Sequence, residues 1–200
     1  YPLNNGWYAD ESSYSFDKFQ KILTRLQDPT SKCHYLSFLA WRFMRHEWIF
    51  DDCQINNDNR FFIDEVIESL RGKQTILDIG AHVGRVALKF EGLLKDDLQS
   101  VDCYEPDDVT RAALLNNVDE LANDPSKFKI QPHAVSSVTG KVCFIKGFNY
   151  ASKIDHRGDL VPSMKIDDMS LNPTIIKIHT EGSEHEILVG GLYKINHSRP

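Results

Sequence analysis

Apolar residues in the first 72 positions recur every three or four residues, the spacing of amphipathic helices. Helices are predicted over residues 15–27, 31–50 and 60–72. Pro29 ends or separates the first of them, because proline disrupts a helix interior. We therefore expect residues 1–72 to form an N-terminal helical extension that packs on a core domain.

After Gly72 the pattern changes to short apolar runs that alternate with helical stretches. The predicted strands cover 75–80, 100–105, 127–135, 141–147, 161–167 and 174–182. The predicted helices cover 84–94, 108–123 and 183–195. This alternation indicates βαβ units and a mostly parallel sheet with helices on both faces. The sequence predicts one α/β domain over residues 73–200.

Composition and charge exclude several classes of protein. The 200 residues are 41% hydrophobic and 26% charged, which is typical of a globular chain. The net charge of -6 and the scattered lysines and arginines argue against nucleic acid as a partner. No run approaches the about 18 apolar residues of a membrane span, and no signal-peptide pattern opens the sequence.

The four cysteines show no CxxC pair and no spacing that suits a metal site. We therefore expect no protein-bound metal. Cys103 and Cys143 lie within strand-like runs, where an unoxidised cysteine behaves as a small apolar residue. The sequence thus predicts reduced thiols and a cytoplasmic protein.

The loop after the first predicted strand carries the first functional signal. Asp78 precedes Gly80-Ala81-His82-Val83-Gly84, and a helix follows at once. In doubly wound sheets, ligands bind at the carboxyl ends of the strands, near the point where the strand order reverses. Gly80 and Gly84 permit a sharp turn and a close approach of the backbone to a ligand. We expect a ligand to lie against this loop.

The residues of the loop narrow the choice of ligand. A dinucleotide fingerprint reads GxGxxG, but His82 occupies the place of the second glycine and would obstruct a pyrophosphate. This disfavours NAD and FAD, and no GK[ST] follows to make a phosphate-binding P-loop. An acid before the glycines suits a ligand with a cationic amino group. S-adenosylmethionine has that group and no phosphate.

Glu105 supplies the second signal, because it ends the next predicted strand about 20 residues past the loop. An acid at that position can accept hydrogen bonds from ribose hydroxyls. Loop and acid together indicate a nucleoside pocket. The alternative is an ordinary strand–helix turn beside a surface glutamate.

The sequence contains, in order over residues 75–191, the five segments ILDIGAHVG, YEPDDVTRAALLNNV, HAVSSVTGKVCF, MKIDDM and IIKIHTEGSEHEILVGG. These segments resemble the motifs of FkbM-type S-adenosylmethionine-dependent methyltransferases. The resemblance implies a Rossmann-like class I methyltransferase fold, a three-layer sandwich. It also implies methyl transfer to a hydroxyl, often on a sugar or a polyketide.

The same resemblance assigns a binding role to several residues. The loop residues that would hold the cofactor are Asp78, Gly80, Ala81, His82 and Gly84. Glu105 would hold the ribose, with Pro106 and Asp107 beside it. Ala134 and Val135, which follow the third strand, would contact the adenine.

His179 and Glu181, at the end of the last predicted strand, are the candidate catalytic residues. Methyl transfer to a hydroxyl needs a base, and histidine titrates near neutral pH. We expect the two side chains to point to one side, because they alternate along the strand. The family pattern has Asp where this chain has His179, and imidazole suits a hard cation poorly, so the sequence favours metal-independent catalysis.

Structural roles remain as alternatives for these residues. His179 can instead be a structural histidine whose hydrogen bonds are made within the fold. Glu181 and Glu184 precede or open a helix, where acids are favoured by the helix dipole. That explanation accounts better for Glu184 than for Glu181.

The predicted strands are fewer than the seven of this methyltransferase architecture. Its fifth strand and final hairpin are not found, and the fourth core strand would then be a long apolar edge. We therefore expect the natural protein to continue past Pro200.

Three functional hypotheses follow from the sequence. The leading hypothesis is an S-adenosylmethionine-dependent O-methyltransferase that acts on a sugar or small natural product. The second is a catalytically silent binding module with the same fold, which the replacement at His179 keeps open. The third is a nucleotide-dependent oxidoreductase, against which His82 argues. The acceptor and the oligomeric state are not determined by the sequence.

Overall fold

The computed structural model describes residues 16–40, 43, 48, 50, 61–147 and 152–200. The chain forms two compact units, an N-terminal unit (Tyr1–Ile63) and a sheet unit (Asp64–Pro200). The helix observed at Asp64–Ser69 lies in the sheet unit, and the predicted division of the chain at residue 72 stays a prediction.

Two helices make up the described part of the N-terminal unit, α1 (Phe16–Arg25) and α2 (Pro29–Leu39). Pro29 begins α2, a position where its missing N–H costs no hydrogen bond. Asp28 caps the same helix, and its Oδ1 accepts a 2.6 Å hydrogen bond from the N–H of Ser31. Most of the predicted stretch beyond residue 40 lies outside the described residues.

The sheet unit alternates strands and helices, as predicted. Its helices are α3 (Asp64–Ser69), α4 (Arg85–Leu94), α5 (Asp108–Leu121), α6 (Glu184–Val189) and α7 (Leu192–Ser198). Its strands are β1 (Gln74–Ile79), β2 (Leu98–Tyr104), β3 (Phe128–Gln131), β4 (Ala134–Val135), β5 (Gly140–Ile145), β6 (Lys153–Ile154), β7 (Asp159–Met164) and β8 (Ile175–Ile178).

The main sheet is parallel throughout and has the order β3-β2-β1-β8. The chain runs from β1 to β2 and β3 on one side, then returns to β8 on the other. The strand order therefore reverses beside β1, and the carboxyl ends of β1, β2 and β8 meet there. This confirms the predicted α/β fold class and places the glycine loop (residues 80–84) at the reversal point.

A second sheet, with the order β4-β7-β5-β6, corrects one predicted strand. The run over 127–135 divides into β3 in the main sheet and β4 in the second. Pro132 explains the division, since proline cannot donate to a strand ladder and breaks the pairing. The predicted extra strands, observed as β5 and β7, pair antiparallel with each other in this second sheet.

The two faces of the main sheet carry different side chains. Leu77 and Ile79 of β1 pack in one apolar cluster with Tyr104, Ile166 and Ile187, the last from α6. Alternation along β1 turns Ile76 and Asp78 to the opposite face. Helix α4 contacts β1 and β2, and α5 contacts β3.

Strand β8 lies at one edge of the main sheet. Among the residues that the structure describes, it pairs with β1 alone. The predicted further strands therefore remain a prediction. None of the helices in the described ranges is long and apolar enough to cross a membrane.

Asp107 joins the second sheet to the start of α5. Its Oδ1 accepts hydrogen bonds from the N–H groups of Val109 (3.0 Å) and Thr110 (3.1 Å), which caps the helix. Its Oδ2 accepts a 2.8 Å hydrogen bond from the N–H of Gly147, just past β5. The residue is almost fully buried. One carboxylate thus fixes two elements next to Glu105.

Replacement of Asp107 by alanine should lower the free energy of unfolding by about 1–2 kcal/mol, because α5 loses its cap and Gly147 its acceptor. Urea unfolding followed by circular dichroism measures the change. Asp119→Ala, an exposed site on the same helix, is the matched control and should change it by less than about 0.5 kcal/mol. Equal effects of the two substitutions would contradict the anchoring role.

The contribution of Asp107 should also depend on pH. Burial raises the pKa of this carboxyl, but hydrogen bonds from Gly147, Thr110 and Val109 outweigh it, so the folded pKa lies below the ordinary value of 3.8. The stabilisation is therefore complete above the unfolded pKa and is lost as pH falls through the folded pKa. The difference in stability between the native chain and Asp107→Ala should shrink below about pH 4. A difference that stays constant down to unfolding would contradict this assignment.

Candidate active site

Gly80 joins the end of β1 to the end of β8. Its φ of +70° lies in the left-handed region, and a Cβ there would collide with the backbone carbonyl of His179. The N–H groups of Gly80 and Ala81 both donate to the carbonyl of Tyr104, at 3.0 and 3.1 Å. Only glycine satisfies this turn and this contact together.

Gly84 has a comparable role at the other end of the loop. Its φ is +85°, and a Cβ there would overlap the side chain of Leu114 on α5. From the sequence, both glycines are expected to allow the close approach of a ligand. In the structure, the chain itself fills the space beside them. A ligand at this loop would therefore meet backbone groups rather than a gap left by a missing side chain.

Glu105 closes the loop from the end of β2. Its Oε2 accepts a 3.0 Å hydrogen bond from the N–H of His82, and its Oε1 accepts one of 3.0 Å from the N–H of Asp107. His82 has a φ of +51°, which L residues rarely adopt, and this hydrogen bond helps to hold it there. The predicted loop and its predicted acid are in direct contact.

The environment of Glu105 is poorly hydrated. The side chain is buried, as is Pro106 next to it. Burial is the largest effect and raises the pKa of Glu105, and the hydrogen bonds from the N–H groups of Asp107 and His82 oppose it. Each carboxylate oxygen accepts one N–H and keeps capacity for another donor. The carboxylate can therefore still accept hydrogen bonds from a pair of hydroxyls.

Asp78 is paired with a lysine inside the sheet. It lies directly opposite Lys177 in the register of β1 and β8, and Lys177 Nζ is 2.8 Å from Asp78 Oδ1. The contact is an ion pair, and its angles do not meet the requirements of a hydrogen bond. Asp78 is 0% exposed and Lys177 7%. Lys177 Nζ also donates a 2.7 Å hydrogen bond to the carbonyl of Gly80.

This pairing changes the role expected for Asp78. From the sequence, Asp78 is expected to face a cationic amino group of the ligand. In the structure it faces the ammonium group of Lys177. Asp78 acts on the glycine loop through Lys177, which binds both the carboxylate and the carbonyl of Gly80. Lys177 is not among the residues predicted for the site, although a single lysine inside the apolar run TIIKI is a signal for it.

The side chains of Ala134 and Val135 belong to the core. Ala134 packs with Phe144 and Val161, and Val135 lies in the cluster that contains Leu77. Both are almost fully buried. A ligand beside this segment would meet its backbone or its neighbours rather than these two side chains.

His179 and Glu181 lie together just past the end of β8. His179 Nε2 is 3.5 Å from Glu181 Oε1, and the two side chains are 38% and 22% exposed. The strand does not continue to them as predicted, because β8 ends at Ile178. A turn in which Glu181 has a φ of +56° brings the two groups together instead.

An open groove of about 620 Å³ lies at the amino ends of the main strands, next to Lys73, Leu98 and Lys127. It is at the sheet edge opposite to the glycine loop. Within the described ranges, no three His, Cys, Asp or Glu side chains are placed to hold a metal ion.

Replacement of Lys177 by methionine should lower the free energy of unfolding by about 3–5 kcal/mol, because it leaves a buried carboxylate without its cation. The double variant Asp78→Asn/Lys177→Met removes both charges and should lose less than Lys177→Met alone. Urea unfolding of both variants and of Asp78→Asn completes the cycle. Losses that simply add would contradict a direct interaction between the two side chains.

Comparison with known proteins agrees with the geometry at the level of the fold. No family model matches the chain, and no curated protein matches it. Among solved structures, the chain is similar to the crystal structure of methyltransferase FkbM from Methylobacillus flagellatus KT, with 23% sequence identity and a TM-score of 0.74. The alignment covers 92% of this chain and 46% of that one, so the chain spans about half the length of the structure it matches. The chain has the α/β fold of that methyltransferase.

Proposed function

We propose that the protein is an S-adenosylmethionine-dependent O-methyltransferase that acts on a hydroxyl of a sugar or small natural product. The observation that carries this proposal is the buried carboxylate of Glu105, held against the N–H of His82 at the point where the strand order reverses. An acid in that place suits the two hydroxyls of a ribose. The fold of a methyltransferase supports the same assignment.

The residues present fit S-adenosylmethionine better than a dinucleotide. Glu105 keeps acceptor capacity for the ribose. His82 occupies the position where a pyrophosphate site requires glycine. Because Asp78 is already paired with Lys177, recognition of the methionine part falls to the backbone of residues 80–84. When bound, S-adenosylmethionine supplies an electrophilic methyl group on a sulfonium.

His179 is the proposed base. Its imidazole is partly exposed at the carboxyl edge, beside the glycine loop, and can take the proton of an acceptor hydroxyl there. Glu181 Oε1 lies on the Nε2 side of the ring and favours a proton on that nitrogen. Glu181 in this arrangement orients the imidazole.

We propose metal-independent catalysis, because imidazole stands where the family pattern has a carboxylate and is a poor ligand for Mg²⁺. We propose a cytoplasmic location from the expected reduced thiols, and a small-molecule acceptor rather than nucleic acid from the net charge of -6.

A catalytically silent binding module is the second candidate. The replacement of the expected aspartate by His179 favours it. Such a module would bind the cofactor through Glu105 and the glycine loop and transfer no methyl group. Cofactor binding and methyl transfer therefore have to be measured separately.

Calorimetric titration with S-adenosylhomocysteine should give binding that Glu105→Ala weakens by about tenfold or more, because the ribose loses a charged acceptor. Added Mg²⁺ should leave the affinity unchanged. Glu120→Ala, an exposed glutamate on α5, is the matched control and should bind like the native chain. Equal affinity in Glu105→Ala would contradict the pocket.

Replacement of His179 by alanine should lower kcat for methyl transfer by about 10²–10⁴-fold, the usual contribution of a general base. The affinity for S-adenosylhomocysteine should stay unchanged, since the imidazole is not assigned to the cofactor. His185→Ala, at an exposed histidine nearby, is the control. Transfer of labelled methyl groups to a mixture of sugars provides the assay. An unchanged rate in His179→Ala would contradict the role, and binding without transfer by the native chain would favour the silent module.

A further inference from the structure

The turn between β8 and α6 is organised around one side chain, that of Glu184. Its Oε1 accepts hydrogen bonds from the N–H (2.9 Å) and the hydroxyl (3.2 Å) of Thr180. Its Oε2 accepts a 3.0 Å hydrogen bond from the N–H of Gly182. The hydroxyl of Ser183 donates to that of Thr180 at 3.0 Å and completes the network.

These hydrogen bonds enclose Glu181. Thr180 and Gly182 are its two neighbours in the chain, and the N–H groups of both end on the same carboxylate. Glu181 itself has a φ of +56°, which costs an L residue about 1 kcal/mol or more unless its surroundings impose it. Gly182 has a φ of +120°, so the turn departs twice from the usual backbone regions. Glu184 is the group that holds both sides of this turn.

The two glutamates of the turn therefore have different tasks. The carboxylate of Glu184 is occupied by three donors from the turn. Burial is the largest effect and raises the pKa of Glu184, but the hydrogen bonds from Thr180 and Gly182 outweigh it and the pKa is lowered. The side chain is thus charged at neutral pH, as a strong acceptor should be. Glu181 has its carboxylate beside His179.

We propose that Glu184 is a positioning residue that fixes the turn and so presents Glu181 to the imidazole of His179. Its catalytic meaning rests on the proposed function, while its effect on the turn does not. Glu184 acts through Glu181 and is not itself a catalytic residue. From the sequence alone, Glu184 is explained by the dipole of the following helix. Experiment can separate that role from the positioning of the turn.

Glu186 provides the matched comparison. It lies in the first turn of the same helix, so it shares any favourable interaction with the helix dipole. Its carboxylate lies 3.9 Å from the exposed imidazole of His185 and does not reach back to the turn. A dipole effect predicts similar results for Glu184→Ala and Glu186→Ala, whereas a positioning role predicts an effect of Glu184→Ala alone.

The test measures amide hydrogen exchange by nuclear magnetic resonance in the native chain, Glu184→Ala, Glu184→Gln and Glu186→Ala. We expect the amides of Thr180 and Gly182 to exchange about tenfold faster or more in Glu184→Ala, since each loses a charged acceptor. The imidazole nitrogen shifts of His179 should change in the same variant. Glu186→Ala should leave both readouts as they are in the native chain.

Glu184→Gln keeps the test decisive if the alanine variant does not fold. A glutamine has one carbonyl oxygen, which we expect to remain with the two donors of Thr180, and its NH₂ group then faces the N–H of Gly182. Exchange should rise at Gly182 and stay slow at Thr180. Unchanged exchange at both amides in Glu184→Gln, or equal changes in Glu186→Ala, would overturn the proposal.

The rate of methyl transfer in these variants tests whether the turn matters for the reaction. If the native chain transfers methyl groups, Glu184→Gln should lower kcat. It should leave the KM for S-adenosylmethionine unchanged, because the residues assigned to the cofactor are not altered. A normal kcat in a variant whose turn has loosened would overturn the positioning role. If the native chain transfers no methyl group, the proposed function fails, while the exchange pattern and the shifts of His179 still decide whether Glu184 fixes the turn.

Discussion

The contact between the ends of β1 and β8 is the constraint on which the site depends. Asp78 and Lys177 face each other in the register of these strands and form an ion pair that is almost completely buried. Such a pair is costly to desolvate and is tolerated when further hydrogen bonds satisfy its charges. Lys177 meets this condition on its own side by donating to the carbonyl of Gly80, whereas the two carboxylate oxygens of Asp78 are buried and accept no hydrogen bond from the described residues. A Cβ on Gly80 would collide with His179, so the two strand ends meet backbone to backbone.

This junction brings two halves of a site together. The glycine loop and Glu105 continue from β1 and β2 and offer acceptors suited to a nucleoside. His179 and Glu181 follow β8 and place an imidazole 3.5 Å from a carboxylate. Asp107 joins the second sheet to the same edge through Gly147. The arrangement needs the reversal of strand order, because only there do β1 and β8 lie side by side with β2 on the other flank.

Local sequence patterns predicted the alternation of strands and helices, the glycine loop and the acid that follows it, because these depend on spacing along the chain. Properties that depend on pairing between distant segments were not predictable in the same way. The partner of Asp78 is set by the register of strands far apart in sequence. The filled space beside Gly84 depends on Leu114 of another helix. A local signal did exist at Pro132, where the predicted third strand divides between two sheets.

The central claim is that the ligand binds at the carboxyl edge, around the glycine loop and Glu105. The direct measurement is the change in amide chemical shifts when S-adenosylhomocysteine is added to the isotope-labelled chain. We expect the largest changes at the amides of His82, Gly84 and Asp107, and none at the opposite groove beside Leu98 and Lys127. Changes centred on that groove, with the glycine loop unaffected, would contradict it.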